Sequence, residues 1–205
     1  CCGSLSHHMG KKFDAQAAAI KNIDAWYSEL SDNGLDAIVI NTSGCGTTVK
    51  DYHHMFKGTE HEDKAKAIAG LTKDISEILV RLDLPDQAEN QINVAYHSAC
   101  SLQHGQQVSS HPKDILKKCG YKISEPKDPH LCCGSAGTYN LLQPKISQEL
   151  KNRKIQSLEA KKPDIIAAGN LGCMMQISSS TKIPVVHTVE LIDWATGGPK
   201  PNKLY

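Results

Sequence analysis

The sequence predicts an α/β protein made of two duplicated parallel-sheet units, the first without the N-terminal segment that the second carries. Three observations lead there. Cys-Cys-Gly-Ser at residues 1–4 recurs at residues 132–135. Downstream of each copy, Asp36-Ala-Ile-Val-Ile-Asn-Thr-Ser-Gly-Cys45 and Asp164-Ile-Ile-Ala-Ala-Gly-Asn-Leu-Gly-Cys173 both run nine positions from Asp to Cys. Short apolar runs also alternate with stretches of helical period, the pattern of parallel sheets joined by right-handed crossovers. The units are expected at 1–90 and 91–205.

Taken in order, residues 13–30 space Ile20, Ile23, Trp26, Tyr27 and Leu30 by three and four, an amphipathic helix that Asn33-Gly34 stops. Residues 36–40 are continuously apolar, as a strand buried on both faces should be. Residues 62–82 carry Ile68, Leu71, Ile75, Ile78, Leu79 and Leu82 on one stripe, which predicts a single helix. The polar stretch 86–90 is the expected boundary. A strand at 92–96 opens the second unit, followed by a short helix at 112–118 whose Pro112 suits a first turn. Loop residues 125–129 deliver the second cysteine pair. A longer helix follows from Pro144 to about residue 161, with Ile146, Leu150, Ile155 and Leu158 expected inward. Strands at 164–168 and 183–186 and a helix at 189–195 complete the alternation.

Composition removes several classes of function. The 205 residues carry 23 basic and 22 acidic side chains, so there is no charge excess to hold a nucleic-acid backbone. No apolar run approaches the roughly 18 residues that span a bilayer, and no secretory signal is present. Gly-rich dinucleotide fingerprints, a Ser–His–Asp order and a convincing acid/base pair are absent, so no hydride chemistry, flavin or NAD is expected on this chain. The chain opens on Cys1 rather than Met, and we expect it to begin inside a larger protein.

Eight cysteines without a secretory signal point to metal or redox chemistry rather than a disulfide scaffold. Cys45, Cys100 and Cys173 fall just past predicted strand ends, where parallel sheets gather ligands. The vicinal pairs lie in loops, where backbone N–H groups favour anionic sulfur. Cys100, Cys132, Cys133 and Cys173 make a set of four, enough for one iron–sulfur cluster or one zinc ion. Gaps of 31 residues between Cys100 and Cys132 and 39 between Cys133 and Cys173 contain no tight zinc knuckle, which favours the cluster. Cys1, Cys2 and Cys45 form a candidate second site. Cys119, beside Gly120, reads as a buried apolar residue. Of the ten histidines, His7, His8, His53, His54 and His61 read as solvated surface. His97 and His187 lie at strand ends near the cysteines, either oriented by a carbonyl or hydrogen-bonded to cluster sulfur. Gly134 and Gly137 allow close approach, of a cofactor or within a tight turn.

The repeated Cys-Cys-Gly and Gly-Cys pattern resembles the cysteine-rich CCG domain, which occurs in tandem in heterodisulfide reductase B subunits and in iron–sulfur subunits of hydroxy-acid dehydrogenases. Ala95-Tyr-His-Ser-Ala-Cys100-Ser-Leu-Gln-His-Gly-Gln106, residues 132–140 with Gln143-Pro144, Gly169-Asn-Leu-Gly-Cys173 and Val186-His-Thr-Val-Glu-Leu191 resemble the iron–sulfur subunits of glycolate oxidase. That resemblance implies a [4Fe–4S] cluster passing electrons from flavin-containing dehydrogenase subunits toward a quinone, on a cytoplasmic protein with peripheral contact at the inner face of the plasma membrane. It leaves lactate or another 2-hydroxy acid as alternative substrate, and a zinc-stapled interaction module as alternative role. The chain departs from the heterodisulfide reductase pattern, which ends in Cys-x-x-Cys, because Gln176 follows Cys173 and Thr48 follows Cys45 at that spacing.

Overall fold

The computed structural model describes residues 1–84 and 91–204. The boundary expected at 86–90 lies outside the described residues. The first unit runs α1 (Ser4–His8), α2 (Lys12–Asp32), β1 (Ile38–Ile40), α3 (Ser43–Lys50), α4 (Tyr52–Met55), α5 (Glu62–Leu71), β2 (Thr72–Asp74) and α6 (Ile75–Leu79). The second runs β3 (Asn93–His97), a π-helical turn (Ser101–Gly105), α7 (His111–Lys118), β4 (Lys122–Ser124), α8 (Tyr139–Leu142), α9 (Pro144–Glu159), β5 (Ile165–Ala168), α10 (Leu171–Ser178), β6 (Val185–His187) and α11 (Thr188–Ala195). β1 and β2 pair in parallel, and the second sheet is parallel throughout in the order β4-β3-β5-β6.

The duplication holds at the level of elements. From each vicinal pair the chain builds a short helix, a long helix, a strand, a helix bearing the Gly-Cys cysteine, a second strand paired to the first, and a capped helix, with α4 and α5 added before the second strand in the first repeat alone. The strand pairings match: Ile38 and Ile40 face Thr72 and Asp74, as Ile166 and Ala168 face Val185 and His187.

Two expectations fail in the first unit. Residues 62–82 are not one helix, because Thr72–Asp74 leaves the helical path to pair with β1. Asp74 then opens α6 with a capping box: the Ser76 N–H donates to Asp74 Oδ1 at 2.9 Å, and the Asp74 N–H donates to Glu77 Oε2 at 2.8 Å. Nor is β1 covered on both faces. Val39 is 47% exposed, because this sheet has two strands among the described residues.

The second sheet is better buried, with all four β5 residues inside. One of its faces packs Ala95, Ile166 and Ala168 against Leu102, Ile155, Leu158, Cys133, Cys173 and Ile177. The other packs Val94, Tyr96 and Ala167 against Leu116, Cys119, Tyr121 and Leu191. Cys119 is therefore core, as expected, and burial pushes its thiol up. In α9 the inward face is rotated from the expected one. Ser147, Lys151, Lys154, Ile155 and Leu158 are buried, whereas Ile146 is 50% exposed. The N-terminal half of α9 meets the cysteine loop rather than an apolar sheet, and its side chains match that surface.

Candidate metal centre

Cys100 follows β3 and begins the π-helical turn, a distortion common near functional sites. Cys132 and Cys133 lie on the irregular loop before α8, and Cys173 lies in the first turn of α10 beyond β5. The fold brings these four together. Cys132 is in side-chain hydrogen-bond contact with Cys100 and Cys133, and Cys133 in turn with Cys173. Cys133 and Cys173 are buried, and Cys100 and Cys132 are partly exposed. His97, at the end of β3, places a ring nitrogen so that it and the Cys133 and Cys173 sulfurs all lie within 4.8 Å of one another.

The electrostatics divide the thiols into two kinds. Donation from Cys100 and Cys133, helped by the Gly134 N–H at 3.3 Å from its Sγ, holds Cys132 far below the ordinary thiol range. Cys173 is likewise lowered, first by Cys133 and, against its own burial, by the nearby His97 imidazole and by Asn170 Nδ2, which donates to its Sγ at 3.2 Å. Cys100 and Cys133 are pushed up by sharing protons with those two and by burial. Thiolate is thus favoured where N–H donors point at sulfur, the arrangement expected of the loops that carry the pairs.

His97 is 1% exposed and its imidazole neighbours the Cys173 sulfur, without a hydrogen bond of good geometry to either ring nitrogen among the described residues. Buried polar atoms are normally satisfied, so this imidazole calls for a group lying among the sulfurs. His187 follows the blander course: its Nε2 contacts the Asn41 carbonyl at 2.7 Å, and its Nδ1 accepts from the Val189 N–H at 3.1 Å. Four thiols, N–H donors to sulfur and an unsatisfied imidazole suit a thiolate-held metal or cluster. Gln176, where the related pattern has a further cysteine, donates to Ser147 Oγ at 2.9 Å and so has a structural partner.

In the first unit, Cys2 and Cys45 come into thiol contact. Donation from Cys2 pulls Cys45 down to about 6 against its burial, and Cys2 is raised in return. Cys1 is exposed, its carbonyl accepting from Asn22 Nδ2 at 3.1 Å. The Cys2 carbonyl accepts from the buried Tyr52 hydroxyl at 2.8 Å. His53 Nδ1 contacts the Lys50 carbonyl at 2.7 Å, and its ring lies 3.8 Å from that of His54.

Three functional candidates had no place in the expected ligand set. Asn170 has a spacing signal, because it occupies the position of Thr42 in the repeat and both residues cap the Gly-Cys helix in extended conformation. Lys151 and Lys154 sit four and seven residues beyond Ser147, on one face of α9. Gly134 and Gly137 were expected to make room, and they do so for protein. A Cβ on Gly134 would strike the Ser147 carbonyl, and one on Gly137 would lie 3.0 Å from His8 Cδ2.

Residues 1–50 and 94–178 match the family of the cysteine-rich domain CCG. The chain is 35% identical over 197 residues to the glycolate oxidase iron-sulfur subunit of Escherichia coli, covering 95% of this chain and 48% of that protein. It is 32% identical to the probable glycolate oxidase iron-sulfur subunit of Bacillus subtilis, covering 96% of this chain and 46% of the relative. It is 28% identical to lactate utilization protein A of a Geobacillus species, covering 94% and 82%. The chain thus spans about half the length of the two glycolate oxidase relatives.

Proposed function

Because the chain belongs to the cysteine-rich CCG domain family, we propose that it is an iron–sulfur electron-transfer part of a glycolate-oxidising dehydrogenase, with Cys100, Cys132, Cys133 and Cys173 holding a [4Fe–4S] cluster. The observation that supports the reading is the run of neighbouring thiols from Cys100 through Cys132 and Cys133 to Cys173, with a ring nitrogen of the buried His97 within 4.8 Å of the Cys133 and Cys173 sulfurs. The cluster, when bound, supplies one-electron exchange. The chain's own residues prepare the site for it. The Gly134 N–H and the Asn170 amide stabilise thiolate on Cys132 and Cys173, and the apolar packing of Ala99, Leu102 and Ile177 keeps water from its inner side.

Glycolate oxidation to glyoxylate belongs, in this reading, to flavin-containing partner subunits, and the electrons pass toward a quinone at the inner face of the plasma membrane. Among the described residues no helix is long and apolar enough to cross a membrane. In the first repeat Cys2 and Cys45, with Cys1 at the surface, form a second candidate site. A second reading, lactate as substrate, rests on the 28% identity to lactate utilization protein A over 94% of this chain. A copurifying flavoprotein that turns over lactate but not glycolate decides for it.

Iron and acid-labile sulfide per chain, with EPR before and after dithionite on anaerobically purified protein, test the cofactor. About four of each and a reducible paramagnetic signal are expected. Zinc without sulfide makes the chain a zinc-stapled module instead. Cys133→Ser and Cys173→Ser should each abolish the cluster while Cys119→Ser retains it. Equal loss in all three means that the substitutions report folding.

A further inference from the structure

The rotated face of α9 is the feature that the proposed site does not yet use. An apolar stripe was available in Ile146 and Leu150, but the helix instead turns Lys151 and Lys154 inward, at 9% and 0% exposure. Fully buried lysines are rare unless paired, because desolvating an ammonium costs several kcal/mol. Lys154 Nζ donates to the carbonyls of Asp128 at 2.9 Å and Pro129 at 3.3 Å, and no carboxylate oxygen stands at ion-pair distance from it among the described residues. Those carbonyls belong to the loop that leads into Cys132 and Cys133. Lys151 differs, since its Nζ donates to Ser179 Oγ at 3.0 Å on the far side of the helix pair α9–α10.

We propose that Lys154 is the fixed buried counter-charge of the iron–sulfur centre, a positioning residue that ties the loop before Cys132 and raises the cluster's reduction potential. The inference rests on the cluster reading above. Burial pulls the Lys154 ammonium down, while the Cys132–Cys133 pair, the Asp128 carboxylate and Cys173 act in the opposite sense. A cluster bound by four thiolates carries net negative charge and gains one more on reduction. A cation fixed in a medium of low dielectric therefore favours the reduced state more than the oxidised one. Without the cluster the same ammonium keeps only the thiolates, the Asp128 carboxylate and two carbonyls as partners, so it contributes more to the loaded form than to the empty one.

The experiment is an EPR-monitored redox titration of the loaded wild type, Lys154→Met, Lys154→Arg and Lys151→Met, alongside iron and sulfide content and thermal unfolding of each protein with and without cluster. The wild-type iron and sulfide content judges the cluster reading by itself. Given a loaded wild type, Lys154→Met should shift the midpoint to more negative potential, Lys154→Arg should restore it, and Lys151→Met should leave it in place. Without cluster, Lys154→Met should lose less melting temperature than with cluster, because the strongest anionic partner of the ammonium is then absent. A loaded Lys154→Met of unchanged potential, an equal shift in Lys151→Met, or an equal loss of melting temperature with and without cluster would each overturn the proposal. The last of these would make the ammonium a tether for two carbonyls and nothing more.

Discussion

Gly3 and Gly134 occupy the same place in the two repeats and are held there by the same two constraints. Both take left-handed backbone, with φ of 83° and 87°, and both press against the backbone of the long helix that follows. A Cβ at Gly3 would lie 2.7 Å from the Ala15 carbonyl oxygen, and at Gly134 it would overlap that of Ser147. The third letter of Cys-Cys-Gly is thus fixed by helix packing. That packing in turn sets the loop whose Gly134 N–H reaches Cys132 Sγ. Gly134→Ala combines strained backbone with a clash against rigid atoms, for an expected cost of about 2–5 kcal/mol. Gly137→Ala meets only the ring of His8, the end of a movable side chain, and should cost about 1–2 kcal/mol. Urea unfolding midpoints order the two, and equal costs would show that the Ser147 contact is not what demands glycine.

At the scale of elements, the lesson lies in residues 62–82 and in α9. Leu71, Ile75, Ile78 and Leu82 do keep helical spacing, but spacing cannot report that Thr72–Asp74 completes a sheet with residues more than thirty positions earlier. The local signal that could have reported it is Asp74-Ile-Ser-Glu77, a capping box inside the supposed helix. In α9 hydrophobicity was a poor guide to orientation, because the surface that it covers is polar loop and sulfur. Strands β3 and β5 and helices α2, α7 and α11 were legible because each of their patterns answers to an apolar core. The capping box also gives a pH dependence. Burial alone would raise the Glu77 carboxyl, but Lys50 Nζ at 2.5 Å and the Asp74 N–H hold it below its ordinary 4.5. A lowered acid stabilises the fold above its unfolded value, and that contribution is lost as pH falls through the folded one. Glu77→Gln should therefore lower the urea midpoint of the apoprotein at neutral pH, with the gap to wild type closing below about pH 4. A gap that stays constant with pH would assign the loss to packing.

For the whole molecule, what the sequence left unread is how the repeats meet, since the bonds between them join residues far apart in the chain. The first Gly-Cys helix, α3, docks on the π-helical turn and on the loop after β5 through small residues and hydroxyls. The Ser43 N–H donates to the Gly169 carbonyl at 3.1 Å, Thr47 Oγ1 donates to the Ser101 carbonyl at 2.9 Å, and Gln106 Nε2 donates to the Ser43 carbonyl at 2.9 Å. The ligand-bearing end of each sheet was readable from cysteine positions past strand ends; that the two ends share one interface was not. Asn170 stands at its centre. Its Oδ1 accepts from the Gly44 N–H at 3.1 Å, beside Cys45, and its Nδ2 donates to Cys173 Sγ at 3.2 Å. One side chain thus joins the docking of the repeats to the charge state of a proposed ligand, and two substitutions separate these roles. Asn170→Ala leaves the Gly44 N–H without its acceptor and should cost about 1–3 kcal/mol in urea unfolding while also weakening iron uptake. Asn170→Asp keeps the acceptor, so most of the stability should remain, but it removes the donor to sulfur and sets a carboxylate beside the thiolates. Its iron and sulfide content should fall below that of wild type. An Asn170→Asp protein that loads like wild type would show that the Cys173 sulfur does not depend on this amide, and would confine Asn170 to holding the repeats together.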